Sequence, residues 1–270
     1  MYRDSITLYN SFYAQFGEDR LLSQLFKNNI KGSCVEVGAN DGVTGSNTLY
    51  FERLGWNCVL VEPNPDLAAQ LRMTRAGQVF ECAASRVEGR AVLQLAEGDP
   101  LAHAVSTLGS DERASASVRA HGFRSRPVEV HTRTLDGILD EAGFAPGFEF
   151  LTLDVEGHEF EALGGLTLGY WRPRVMIVED NTRFGDARVR QHLERSGYAR
   201  VRRTGVNDWY AHRTETGLVG SDRRLRYAAS MLNARVLMAK QRLAGRMVRV
   251  AALRSVVRTA RRLLGIKRRG

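Results

Sequence analysis

Cysteine and proline are scarce in this 270-residue chain, which has three Cys and six Pro against 26 Gly. Cys34, Cys58 and Cys82 are an odd number, form no CxxC pair and lack metal-ligand spacing, which fits a reducing compartment better than a disulfide framework. They recur every 24 residues, each in a strand-like apolar run. That pattern reads as the period of a strand-helix unit whose cysteines are small core residues, rather than as a thiol nucleophile or zinc site. No apolar run approaches the roughly 18 residues a membrane-crossing helix needs. Residues 1–14 mix Arg3, Asp4, Asn10 and Ser11 into their apolar positions, unlike the uninterrupted core of a secretory signal. The expected location is therefore cytoplasmic, with peripheral contact at the cytoplasmic membrane face left open by the tail. Two nucleotide fingerprints are also missing: no GxGxxG, and no Walker loop with its Lys-Ser/Thr.

Acidic residues are nearly absent from the end of the chain. Residues 221–270 hold 15 Lys and Arg but one acid, Asp222, whereas the other 220 residues hold 24 basic and 29 acidic side chains. The overall net charge of +9 thus averages a mildly acidic body and a strongly basic tail. With 43% hydrophobic and 26% charged residues, the body can bury one substantial core.

Strands and helices alternate through that body. SCVEVG (33–38), NCVLVEPNP (57–65) and QVFECAAS (78–85) read as strands; SNTLYFERLG (46–55) and PDLAAQLRMTRAG (65–77) read as helices. Ser46 or Asn47 would cap the first helix and Gly55 end it, while Pro65 opens the second. EGRAVLQLAEG (88–98) suggests a hairpin, and 99–127 is a weakly patterned polar stretch, a lid or disorder. The strand PVEVHTR (127–133), the helix TLDGILDEAG (134–143), FEFLTLDVEGHE (148–159) as a strand breaking at Gly157, and RVMIVEDN (174–181) as another strand follow. The helix DARVRQHLERSG (186–197) and an antiparallel hairpin over 198–213, turning near Gly205, complete the body. The expected class is α/β: a Rossmann-like, mostly parallel sheet with helices on both faces. Three parts are expected: a helical lead-in over 1–33, the main domain over 34–213 and a basic helical extension over 214–270. In that extension Leu225, Ala229, Leu232, Val236, Leu243, Met247, Val250, Val257, Ala260 and Leu264 recur at helical spacing opposite arginines.

Open parallel sheets bind ligands beyond the carboxyl ends of their strands. Four strands here end in polar residues, at Glu36 to Asp41, Glu62 to Asn64, Asp154 to Glu159 and Glu179 to Asn181. In VEVGANDG (35–42), Gly38 and Gly42 permit a sharp turn and close approach of a ligand to the main chain. Acids on both sides of the loop, Glu36 and Asp41, repel phosphate and suit a cationic ligand. Glu62 stands where an acid accepts hydrogen bonds from ribose hydroxyls. Together these features describe S-adenosylmethionine, with NAD as the competitor. Beside that site, Asp154 and His158 are candidate bases for activating an acceptor hydroxyl. Asp154, Asp180 and Asn181 form an oxygen-only trio similar to the magnesium site of catechol-type O-methyltransferases, so Mg2+ is a second route. His158 as a packing residue, and the acids as hydrated rim groups, are the plain alternatives. His121 and His131 have no partner at ligand spacing, and Trp56, Trp171 and Trp209 read as packing residues.

AQFGEDRLL (14–22), VEVGANDGVTGSNTLYFE (35–52), VLVEPNP (59–65), HTRTLDGIL (131–139) and LTLDVEGHEFEALGG (151–165) together resemble the successive motifs of the FkbM-type methyltransferases. The resemblance spans about residues 11–182 and is most specific at Asp-Val-Glu-Gly-His-Glu. It implies a class I methyltransferase fold with a seven-stranded sheet, S-adenosylmethionine as donor, and hydroxyls of sugars, glycans or natural products as acceptors. By matching positions, Glu36, Gly38, Asn40, Asp41 and Glu62 would serve the donor. The basic tail has no counterpart in the resemblance, and its candidate partners are an anionic membrane surface, an acidic protein or nucleic acid. An RNA-binding or RNA-methylating protein is therefore the alternative class, opposed by the acidic body and the lack of an RRM-type recognition motif. A cofactor-binding scaffold without catalysis is the third.

Overall fold

The computed structural model describes residues 12–98, 106–109, 112–181, 186–220, 222 and 225–240. After α1 (Glu18–Leu25) the chain enters β1 (Ser33–Val37), α2 (Leu49–Arg53), β2 (Asn57–Val61), α3 (Pro65–Thr74) and β3 (Gln78–Phe80). A short β4 (Ala83–Ala84) leads to β5 (Gly89–Glu97), β6 (Thr107–Leu108), α4 (Glu112–Ala120) and β7 (Arg124–Arg133). Next come α5 (Leu135–Glu141), β8 (Phe150–Leu153), α6 (Glu159–Leu163), α7 (Leu168–Trp171) and β9 (Val175–Glu179). The body ends with α8 (Ala187–Arg195), β10 (Tyr198–Thr204) and β11 (Asn207–His212), and residues 225–240 form α9.

Seven strands form one sheet in the order β10-β11-β9-β8-β1-β2-β3. The five from β9 to β3 are parallel, and β11 runs antiparallel between β9 and β10. Its central strands are apolar on both faces, as a doubly covered parallel sheet requires. Val35, Val37, Val59, Val61, Leu151 and Leu153 face α5, α6, α7 and α8, burying Leu135, Ile138, Leu163, Trp171 and Leu193. Cys34, Cys58, Phe150, Val175 and Ile177 face the other way, against Leu22, Phe51 and Trp56. Local chemistry sets the helix starts. Asn64 Oδ1 accepts from Asp66 N at 3.1 Å ahead of Pro65, Thr134 Oγ1 from Gly137 N at 3.2 Å, and Asp186 Oδ1 from Arg188 N at 2.7 Å. Gly55, at φ 86°, stops α2.

Several expectations change. The strand expected over 78–85 is split, β3 pairing with β2 and β4 joining a second sheet of order β4-β7-β5-β6. Residues 88–98 are no hairpin: β5 is one strand, paired antiparallel with β7 from Gly89↔Thr132 to Glu97↔Arg124. Residues 106–109 and 112–120 of the polar stretch carry β6 and α4, while residues 99–105 lie outside the described part. β8 ends at Leu153, four residues before Gly157. All three cysteines are buried, with Cys34 Sγ 3.2 Å from Cys58 Sγ across β1 and β2, but Cys82 lies between strands. No described helix is long and apolar enough to cross a membrane.

Candidate active site

β1, β2, β8 and β9 point their carboxyl ends at one rim, and the chain order reverses between β1 and β8. A cavity of about 680 Å³ opens there. All four polar strand ends contribute to its wall: Glu36 and Asn40, Glu62 and Asn64, Asp154 and Glu156, Glu179 and Asn181. The second sheet adds Leu93, Ser106 and Leu108, and the N-terminal segment adds Tyr13, Gln15 and Phe16.

The loop after β1 is built around buried charge. Glu36 accepts from Ser46 Oγ at 2.8 Å, from Asn47 N at 2.7 Å and from Thr48 Oγ1. The Arg75 guanidinium, fully buried, lies 3.8 Å from the same carboxylate and donates to Gly42 O at 2.7 Å, Thr48 Oγ1 at 2.9 Å and Glu52 Oε1 at 3.0 Å. The Glu36 charge is therefore balanced inside the protein, and its work is to fix the 42–48 loop. Gly38, at φ 83°, lines the cavity and is also required by a close approach of protein to protein: a Cβ there would lie 1.8 Å from Asp154 O. Gly42, at φ 75°, packs on Leu71 and Arg75 of the α3 region and does not line the cavity. Asp41 Oδ1 accepts from Val43 N and Thr44 N at 2.8 Å each, closing a turn that presents Thr44, not Asp41, to the cavity.

Asn40 and Glu62 do face the cavity. Asn40 sits at φ 53°, and its N donates to Glu62 Oε2 at 2.8 Å while Asn64 N donates to Oε1 at 2.8 Å. Burial pushes the Glu62 carboxyl up to about 7 against the pull of those two bonds.

At the other end of the cavity Asp154, Glu156 and Glu179 bring carboxylate oxygens within 4.8 Å of one another. Leu153 and Val178 are register partners, so Asp154 and Glu179 follow as neighbours one step on. Their carboxyls share a hydrogen bond. Asp154 opens on the cavity with protein on its other sides; burial raises its pKa, and the bond from Glu179 partly offsets this. Glu156 is pushed up to about 8 by burial and then by the charges of Asp154 and Glu159. Glu179 is pushed up to about 10 by burial, the charges of Asp154 and Glu156, and the shared bond. At neutral pH these raised values keep protons on Glu156 and Glu179 beside Asp154. Thr107 Oγ1 donates to Glu156 O at 2.8 Å, and Asn181 Nδ2 to Glu179 Oε1 at 2.7 Å.

Besides Asp41 and Gly42, two more expected site residues lie elsewhere. His158 does not line the cavity: it occupies the N-cap position of α6, its Nε2 is 3.2 Å from Ser85 Oγ, and burial lowers its pKa. Asp180 turns the other way, its Oδ2 accepting from Asp186 N at 2.7 Å. Of the expected metal trio only Asp154 and Asn181 reach the cavity, and Glu156 and Glu179 complete the carboxyl group instead. Glu18 and Asp19 are the tethers of the N-terminal wall. Glu18 accepts from Phe16 N, Thr204 Oγ1 and Asn207 Nδ2, and Asp19 from Tyr13 N and Ala14 N. Asn47 lines the cavity with its Oδ1 buried and without a protein partner.

A sheet running β3-β2-β1-β8-β9 in parallel, with the antiparallel β11 slotted between β9 and β10, has the architecture of the class I S-adenosylmethionine-dependent methyltransferases. The chain belongs to the methyltransferase FkbM domain family, which matches residues 36–199. It is an S-adenosylmethionine-dependent enzyme of the O-methyltransferase type, acting on a hydroxyl-bearing acceptor.

No curated protein matches the chain. Among solved structures it is similar to a TehB-like SAM-dependent methyltransferase from Corynebacterium glutamicum, at 11% identity and a TM-score of 0.40, covering 78% of this chain and 94% of that one. Precorrin-6y C5,15-methyltransferase from Geobacter metallireducens is similar at 10% identity and a TM-score of 0.38, covering 71% and 84%. An O-methyltransferase from Bacillus cereus in complex with SAH is similar at 12% identity and a TM-score of 0.35, covering 77% and 87%.

Proposed function

We propose that the cavity transfers a methyl group to a hydroxyl of a carbohydrate, glycan or natural product, with Asp154 as the proton acceptor. The observation that carries this reading is one cavity joining two unlike ends, a polar cradle at Glu62 and Asn40 and the proton-holding pair Asp154 and Glu179. The donor's chemistry fits the first end. Glu62 has acceptor capacity for hydroxyls, and the orphaned Asn47 Oδ1 awaits an N–H or O–H. Bound there, S-adenosylmethionine supplies an electrophilic methyl on a sulfonium for in-line displacement.

The chain's own residues do the rest. The β1 loop, Glu62 and the Tyr13 to Phe16 segment hold the donor, and Leu93 and Leu108 exclude water from the acceptor side. Asp154 takes the hydroxyl proton, while Glu179, protonated, donates to Asp154 and keeps its lone pairs oriented. His158 anchors the 154–158 loop through Ser85. Calorimetry with S-adenosylhomocysteine tests the reading; no uptake by folded protein at millimolar product rejects it.

A second reading is favoured by the convergence of three carboxyls. Asp154, Glu156 and Glu179 would hold a magnesium ion in place of their protons, and the ion would lower the acceptor hydroxyl's pKa. Transfer that survives exhaustive EDTA dialysis rejects the metal. The partner for residues 221–270 in this proposal is an anionic membrane surface at the cytoplasmic face, matched by 15 basic residues against one acid.

A further inference from the structure

The two faces of α9 meet different surroundings. Tyr227, Ser230, Met231, Ala234 and Met238 recur at helical spacing and turn inward. The Tyr227 hydroxyl donates to Asp208 Oδ1 at 3.2 Å, with the Arg200 guanidinium 4.2 Å over its ring. Ser230 Oγ accepts from Arg203 N at 3.0 Å, Ala234 is buried, and Met238 lines the cavity beside Asn181 and Val206. The outward face carries the larger aliphatic residues: Leu225, Leu232 and Val236 are 76%, 64% and 47% exposed. Helices normally turn such a stripe toward the core. Here the stripe expected from sequence faces out, and α9 is docked by its polar and small residues instead.

We infer that α9 is a membrane-docked wall of the acceptor end of the cavity. The acceptor is therefore amphiphilic, with a hydroxyl-bearing head in the cavity and an apolar carrier in the bilayer. This rests on the methyl-transfer reading above. An α-helix with its side chains is about 10–12 Å across, so a surface gripping the outer face lies one helix width from the cavity wall that Met238 forms. Arg226, Arg235 and Lys240 lie on the same helix, and residues 241–270 add ten Lys and Arg without an acid. Exposed leucine and valine beside cations match an anionic lipid surface, which takes both. Nucleic acid would leave the aliphatic face in water, and a second copy would set two strongly basic tails together.

The test uses the full chain with vesicles of phosphatidylcholine alone or mixed with phosphatidylglycerol, beside Leu232→Glu/Val236→Glu, which touches neither the cavity nor the inner face. Wild type is expected to sediment with the anionic vesicles and the double variant at least about tenfold less, with unchanged S-adenosylhomocysteine affinity. With methyl-labelled S-adenosylmethionine and the producing cells' membrane and soluble fractions, label should enter solvent-extractable membrane material, about tenfold less with the variant. Equal vesicle binding by the variant, binding to RNA but not vesicles, dimerisation lost in the variant, or label confined to the soluble fraction would overturn the inference. Wild type failing to bind S-adenosylhomocysteine would instead sink the methyl-transfer reading, whatever the vesicles show.

Discussion

A methyl group on Gly38 would sit 1.8 Å from the carbonyl oxygen of Asp154, so the loop after β1 and the acid after β8 can be this close only because position 38 has no side chain. Gly38→Ala should push the two strand ends apart and add strain at a left-handed residue. The expected result is a loss of about 2 kcal/mol or more of stability and of most transfer activity. Chemical denaturation and a methylation assay measure both, and wild-type values in the variant would contradict the contact.

Asp154→Asn removes the proton acceptor while keeping its shape. Turnover should fall about 10²–10⁴-fold with S-adenosylhomocysteine affinity little changed. Glu179→Gln keeps a donor to Asp154 and should cost far less. Comparable losses in the two variants would point to the magnesium reading, in which both carboxyls are ligands.

Glu156 and Glu179 have pKa values raised well above the ordinary 4.5, to about 8 and about 10. The folded state therefore binds more protons than the unfolded chain across that interval, and stability falls as pH rises through it. The Glu156 contribution is complete below 4.5 and lost by about 8. Thermal melts from pH 5 to 9 should drop more steeply for wild type than for Glu156→Gln. Transfer should run the opposite way, increasing with pH as Asp154 gives up its proton while Glu179, raised to about 10, keeps its own.

Asn47 Oδ1 is buried on the cavity wall without a partner. If the donor fills it, Asn47→Ala should weaken S-adenosylhomocysteine by up to about tenfold, the worth of one ordinary hydrogen bond, while melting stays near wild type. An unchanged dissociation constant would leave the orphan unexplained.

Arg75→Met removes a fully buried cation from Glu36, Glu52 and the Gly42 carbonyl. Stranding the Glu36 carboxylate should cost about 3–5 kcal/mol. Urea unfolding is the measurement.

Much of the sheet was legible because buried parallel strands read as unbroken apolar runs such as SCVEV and NCVLV, ending abruptly in acids. The second sheet was not, since the partner of β5 lies beyond α4 and no local pattern announces a pairing that distant. Within the site, sequence placed the right strand ends together but not the right side chains. Asp180 and Glu179 differ by one position, and a strand turns successive residues to opposite faces. Only the Leu153↔Val178 register shows which of them meets Asp154. On α9 the apolar period was visible, but the docking was decided by a tyrosine hydroxyl and a serine.

The sealed thiols of Cys34 and Cys58, inside β1 and β2 and away from the cavity wall, turn the enzyme into its own opening gauge. An alkylating reagent can reach them only when the sheet comes apart, so the labelling rate of untreated protein times the opening of the fold, and its slowing by added ligand would report binding without any acceptor in hand.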